Sequence, residues 1–337
     1  MCAGQMRRES LALLLLTAGW ARLAFTQGHE GARAALDADG RAFTFIIPEV
    51  LEFRGGFSAK VIRGAPPRDP LSGMDVAAPA VQTQELHSAA GSLLSPLEQA
   101  SEETPCGRAT VTEAVFRFEQ EQMDLLVRFS QVQGVKGFQA QAGIRNSGSG
   151  AFKLVSLTPV VLEGQVTGNP ADWLLTALNT SSAVAPPVLA LSDIHNPITV
   201  FENGSFYRKD GCGFLFGPVG APVAYIQARL SRLDEGKVAF GLSVDMDAVQ
   251  VKPGETRWGQ QVALLAQPPQ EALSHWAEWV ARTHRARTDK GALWGWNSWS
   301  FHGMNVSGKD VLAEVAAVLN SERRLRPAVM EIDHGYR

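Results

Sequence analysis

The chain has 337 residues, 45% of them hydrophobic and 19% charged, which is enough apolar material for two packed domains and too much for a disordered chain. A formal net charge of -3 leaves no basic surface for nucleic acid, so that class of partner is set aside and neutral ligands suit the balance better.

Arg7 and Arg8, the apolar run at 11–20 and the small residues after it read as a secretory signal peptide over 1–26, cleaved near Ala21 or Thr26. The run is too short to span a bilayer. The expected destination is secretion or the secretory and vacuolar pathway, with Arg22 leaving organelle targeting or an uncleaved amphipathic anchor open. Three sequons, at Asn179, Asn203 and Asn305, agree with a secretory route. Cys2 would leave with the signal. Cys106 and Cys212 then either pair in an oxidising compartment or remain two buried thiols, and spacing does not decide between these. The histidines are scattered without zinc-ligand spacing, so the reading calls for no metal and no cofactor.

RAFTFII at 41–47 alternates β-branched and aromatic residues, the pattern of a strand, and 50–57 continues toward a hairpin. Residues 63–107 lose periodicity and fill with Ala, Pro, Ser and Gly, which reads as a flexible insertion. From Ala109 strand-length segments return, with 146–150 as a Ser/Gly-rich hairpin loop between two of them. Short strands continue to the end of this region without a helical period, so 27–267 is expected to form a large antiparallel β-sandwich.

Residues 268–290 place Ala272, Leu273, Trp276 and Val280 at helical spacing behind Pro268 and Pro269, a linker helix. Its Trp276 and Trp279 are expected to pack at a domain interface, with His275 and His284 on the surface. Next comes LWGWNSW at 293–299, holding three of the eight tryptophans. It reads as a short strand running into a loop, with Trp294 and Trp296 on one face and Trp299 past the strand end, where an aromatic platform at a loop mouth explains it better than sheet packing. Ser307 and Asp310 make a capping box for a helix with Val311, Leu312, Val315, Val318 and Leu319 on its apolar face. After Pro327, AVMEIDHGY is an apolar strand ending at Asp333 and His334. Strand, crossover helix and strand form a βαβ unit, which brings both strand ends to one edge of a parallel sheet, the edge where α/β barrels keep their sites. Glu331 shares a strand face with Asp333 and needs a partner if it points inward. His302, on the loop after the first strand, is the other candidate acid or base.

GWNSW followed by a strand ending in IDHGY resembles the opening of the catalytic barrel of glycoside hydrolase family 36, the α-galactosidase or melibiase group, related to family 27 and to the raffinose synthases. IRNSGSGAFKLVSLTPV and VKPGETRW resemble turns of that family's N-terminal supersandwich. The resemblance implies an all-β supersandwich followed at 291–337 by the first βαβ unit of a (β/α)8 TIM barrel. It also implies retaining hydrolysis of terminal α-galactosides. By position, Trp299 becomes an apolar wall for the sugar and Asp333 a hydrogen-bonding acid, while His334 stands where the family carries a second acid and removes that charge. The family draws its two catalytic carboxylates from later barrel strands, so no catalytic residue is assigned here. Residues 291–337 supply two strands where a closed barrel needs eight, so the chain as given is expected to be a fragment without hydrolase activity. Galactosyl transfer of the raffinose-synthase type and a non-catalytic carbohydrate-binding protein remain as alternatives.

Overall fold

The computed structural model describes residues 31–37, 40–63, 82–94, 98–177, 188–220, 224–234, 236–287, 295–298, 305–323 and 326–332; residues 1–26, read in the sequence as a signal peptide, lie outside them. The chain divides into two compact units, Met1–Arg285 and Ala286–Arg337.

The first unit runs through β1 (Arg33–Leu36), β2 (Phe43–Ile47), β3 (Leu51–Arg63), β4 (Gln82–His87), β5 (Ser92–Leu93), β6 (Glu98–Thr104) and β7 (Gly107–Phe118). It continues with β8 (Met123–Val132), β9 (Gly137–Asn146), β10 (Phe152–Val166), β11 (Trp173–Ala177), β12 (Val188–Ala190) and β13 (Ile198–Phe201). Then follow β14 (Gly204–Arg208), β15 (Gly213–Pro218), β16 (Ile226–Asp234), β17 (Lys237–Val251), β18 (Thr256–Trp258), β19 (Val262–Leu265) and helix α1 (Pro269–Thr283). Two antiparallel sheets result. One has the order β1-β2-β3-β10-β17-β16-β13 with β4 also on β3, and the other the order β12-β11-β14-β15-β19-β9-β8-β7-β5 with β18 on β9 and β6 on β7.

Strict alternation drives the packing of these layers. In β2 the residues Phe43, Phe45 and Ile47 are fully buried while Thr44 and Ile46 are half-buried, so one face of the strand turns to the core. Phenylalanines from both sheets meet there. Phe43 of β2 lies 5.1 Å from Phe138 of β9, Phe45 5.6 Å from Phe214 of β15, and Phe240 of β17 5.0 Å from Phe216, all edge-on. This is the antiparallel sandwich expected from the strand pattern.

Two local expectations change. Residues 82–104, read as part of a flexible insertion over 63–107, contain β4 paired with β3 and β6 paired with β7, while 64–81 lie outside the described residues. The loop at 146–150 joins β9 to β10, which belong to different sheets, so it carries the chain across the sandwich and is not a hairpin.

Asn146 organises that crossing. It is 1% exposed, donates Nδ2 to Gly150 O (2.8 Å) and Val251 O (3.1 Å), and accepts from Gly148 N (3.0 Å). The Lys252-Pro253-Gly254-Glu255 turn closes against it, with Asn146 N donating to Glu255 O at 3.0 Å and Gly254 N to Asn146 O at 2.8 Å. The two turns that carry the supersandwich resemblance are therefore hydrogen-bonded to each other. Asn146→Ala strands a buried carbonyl and should cost about 2 kcal/mol, seen as a lower urea midpoint at unchanged slope. Asn146→Asp should cost at least as much, because a carboxylate oxygen would then face two carbonyls.

Helix α1 packs on β15 and β19. Ala272 and Trp279 are buried in a small cluster with Cys106, Val111, Leu215 and Leu265. Leu273, expected on that face, is instead 46% exposed, because the buried stripe runs through 272, 276 and 279. His275 is not a free surface residue: its Nδ1 donates to Gln267 Oε1 at 2.8 Å. Both cysteines are free and buried, so the unpaired alternative holds, and burial pushes both thiols up.

The second unit contains β20 (Gly295–Asn297), helix α2 (Gly308–Asn320) and β21 (Val329–Glu331). Ser307 accepts from Asp310 N while the Asp310 carboxylate accepts from Ser307 N, so the capping box read in the sequence opens α2.

Candidate functional site

β20 and β21 run parallel, with Gly295 opposite Val329, Trp296 opposite Met330 and Asn297 opposite Glu331. A strand, a helix and a second parallel strand thus follow one another as expected, and both strands end at the same edge. Gly295 is required by close approach, since a Cβ there would stand 2.9 Å from Val329 O. Beyond the last pair, Ser298 N donates to Glu331 O at 3.1 Å, and Ser298 is fully buried.

The same pairing answers the question of Glu331. Its side chain is exposed, and its Oε2 accepts from Asn297 Nδ2 at 3.0 Å across the two strands. Asn297 was not singled out in the sequence, although parallel register alone puts it on the same face as Glu331. Trp296 is half-buried. Trp299, Asp333 and His334, the three substrate-binding candidates, lie outside the described residues, as do Trp294 and His302. In sequence, Trp299 and Asp333 each fall two positions past the Asn297–Glu331 pair.

Elsewhere the first unit contains a cleft of about 540 Å³ beside α1. Pro218, Ile226, Trp276 and Val280 supply apolar wall, and Glu202, Asn203, Gln260 and His284 the polar part. Trp276 donates Nε1 to Pro218 O at 2.8 Å, so its ring meets the cleft with the polar edge already satisfied. His284 donates Nε2 to Gly220 O at 3.1 Å. Gly217 permits this arrangement: a Cβ there would lie 2.9 Å from Trp276 Nε1 and 3.0 Å from Asn203 Cβ. The sequence offered no signal for the cleft, because its walls come from positions far apart in the chain.

A buried charge cluster crosses three neighbouring strands. Asp124 on β8 has a side chain with no exposure and lies in register with Arg117 on β7 and Arg145 on β9. It accepts from Arg117 Nε at 2.8 Å and Nη2 at 3.2 Å, and from Arg145 Nε at 2.8 Å. Burial pushes the carboxyl up, but the hydrogen bonds and charges of the two guanidinium groups outweigh it and hold the carboxyl below its ordinary value. All its oxygens are engaged within the protein, so the cluster is structural. Among the described residues no group of His, Cys, Asp or Glu could hold a metal ion, and no helix is long and apolar enough to cross a membrane.

No family model and no curated protein matches this chain. Among solved structures it is similar to the galactosidase domain of an α-galactosidase-sucrose kinase, AgaSK, at 13% identity and a TM-score of 0.49 over 88% of this chain and 50% of that one. It is also similar to the GH36 α-galactosidase AgaB from Geobacillus stearothermophilus, at 12% identity and a TM-score of 0.45 over 90% of this chain and 50% of that one. A third is the α-N-acetylgalactosaminidase NagBb from Bifidobacterium bifidum, at 13% identity and a TM-score of 0.42 over 79% and 39%. The chain spans about half the length of the first two structures.

Proposed function

We propose that the chain is part of a retaining α-galactosidase of the family 36 type and supplies the first βαβ segment of its catalytic barrel together with the sandwich before it. The observation that carries this reading is the parallel pairing of β20 with β21, which ends both strands beside the GWNSW and IDHGY motifs. In this reading Trp299 gives an apolar wall to the C–H face of a terminal galactosyl unit, and the Asp333 carboxylate accepts from its hydroxyls. His334 adds a neutral hydrogen bond where an acid would add a charged one, which weakens the preference for galactose. The nucleophile and the acid/base are carboxylates contributed from outside residues 295–332, as the family resemblance implies. Residues 1–26 direct the protein into the secretory pathway.

The test is hydrolysis of a nitrophenyl α-galactoside by purified residues 27–337 beside the longest product expressed from the same locus. Hydrolysis by the longer product alone is expected, since loss of a nucleophile and an acid together removes most of the rate. Turnover by 27–337 would sink the assignment of roles, and galactose binding without turnover by either would favour the carbohydrate-binding reading.

A further inference from the structure

We propose that Asn203 is N-glycosylated and that the first sugar of the glycan lies in the cleft beside it, against Trp276. The proposal rests on the secretory reading of residues 1–26. Asn203-Gly204-Ser205 is an acceptor triplet. Asn203 occupies the turn between β13 and β14, half-buried, with its backbone N–H on Phe201 O and its side-chain amide bonded to no described residue. A glycan on Nδ2 therefore displaces no hydrogen bond among the described residues.

The same side chain lines the 540 Å³ cleft, a volume within the ~300–1,000 Å³ of ordinary small-molecule sites. What the cleft offers matches an N-acetylated pyranose. The half-buried ring of Trp276, with its N–H already bonded to Pro218 O, and Val280 and Ile226 present apolar surface to the C–H face of a sugar and to an acetyl methyl. Gln260, 5% exposed, donates Nε2 to Gly220 O at 3.0 Å and keeps its carbonyl oxygen for a donor. Tyr225, 73% exposed at the cleft, has unburied ring surface for a sugar to cover. Gly217 brings the Asn203 and Trp276 side chains together, so the attachment point and the ring face the same space.

The modification needs a polyprenyl-pyrophosphate-linked oligosaccharide in the lumen as donor. The Asn203 Nδ2–C1 bond forms as the C1–O bond to the lipid pyrophosphate breaks, the amide nitrogen loses one proton, and the lipid pyrophosphate leaves with the bonding pair. No oxidation or reduction is involved.

The experiment expresses the full chain in a eukaryotic secretory host, once with its own N-terminus and once behind an established secretory leader. Glycopeptides are mapped after enzymatic deglycosylation in heavy-oxygen water, which separates enzymatic release from spontaneous deamidation at Asn-Gly. Occupied Asn203 is expected in both arms, lost in Asn203→Gln and Ser205→Ala and kept in Ser205→Thr, the last guarding against a misfolded variant. Native protein is expected to release this glycan at least tenfold more slowly than the Tyr225→Ala variant, whose cleft wall is gone. Asn203 unmodified behind the leader overturns the proposal. Modification behind the leader alone overturns the secretory reading it rests on. Modification with equal release from wild type and Tyr225→Ala overturns the placement of the sugar in the cleft.

Discussion

Alanine at Asp333 is expected to lower kcat/KM for a nitrophenyl α-galactoside by about 100-fold to 10,000-fold in the product that carries the activity. The figure follows from the proposed role, in which the Asp333 carboxylate would accept two charge-assisted hydrogen bonds from sugar hydroxyls, each worth ~1.5–3 kcal/mol. Those hydroxyls do not react, so part of the loss should appear in KM and part in kcat, to the extent that the bonds tighten as the ring distorts. Trp299→Ala should act in the same direction through lost apolar contact, and Trp299→Phe should recover much of it. The check is steady-state kinetics together with titration of free galactose. An Asp333→Ala protein with unchanged kcat/KM and unchanged galactose affinity would remove the β21 end from the site.

The second large effect is on stability. Asp124→Ala removes the shared partner of Arg117 and Arg145 and should cost about 3 kcal/mol, the low end for breaking a buried ion pair because both arginines keep partial contact with water. In a domain of this size that corresponds to a fall of roughly 6–12 °C in Tm. The carboxyl is held below its unfolded value, so its contribution is complete above the unfolded pKa and is lost as pH falls through the folded one. Wild type and Asp124→Asn should therefore differ most near neutrality and converge in acid. Thermal melts across a pH series measure this, and a difference that grew toward low pH would contradict the assignment.

Much of the sandwich was legible because its inward strands alternate: β2 and the first half of β17 read directly as buried and half-buried residues in turn. Helices α1 and α2 were legible as helices from their start signals. β4 and β6 were not. Their sequences, QTQELH and EQASEET, are polar, and β6 has no buried residue. They are strands because β3 and β7 offer hydrogen-bonding edges, and an edge leaves no hydrophobic period in the strand that pairs with it. The crossing at 146–150 failed for a related reason: a turn motif does not say which sheet receives the next strand. At the candidate site the βαβ order was readable, but the Asn297–Glu331 hydrogen bond depends on register. The Asp124 cluster likewise needs three strands aligned before its charges meet.

The crossing turn also sets an order of events during synthesis. Asn146 is held by groups at Val251, Gly254 and Glu255, and β10 forms its sheet between β3 and β17. β10 can pair with β3 early, but the bonds to Val251, Gly254 and Glu255 and the pairing with β17 cannot close until the chain has emerged past residue 255, so the crossing stays unfinished while more than a hundred residues are added. Closure over so long a loop is slow compared with local hairpins. In the interval Phe138 of β9 has only the earlier rings Phe43, Phe45 and Phe129 against it, and the phenylalanines that β15 and β17 bring to the same core are missing, which makes residues 137–255 the vulnerable window of the nascent protein.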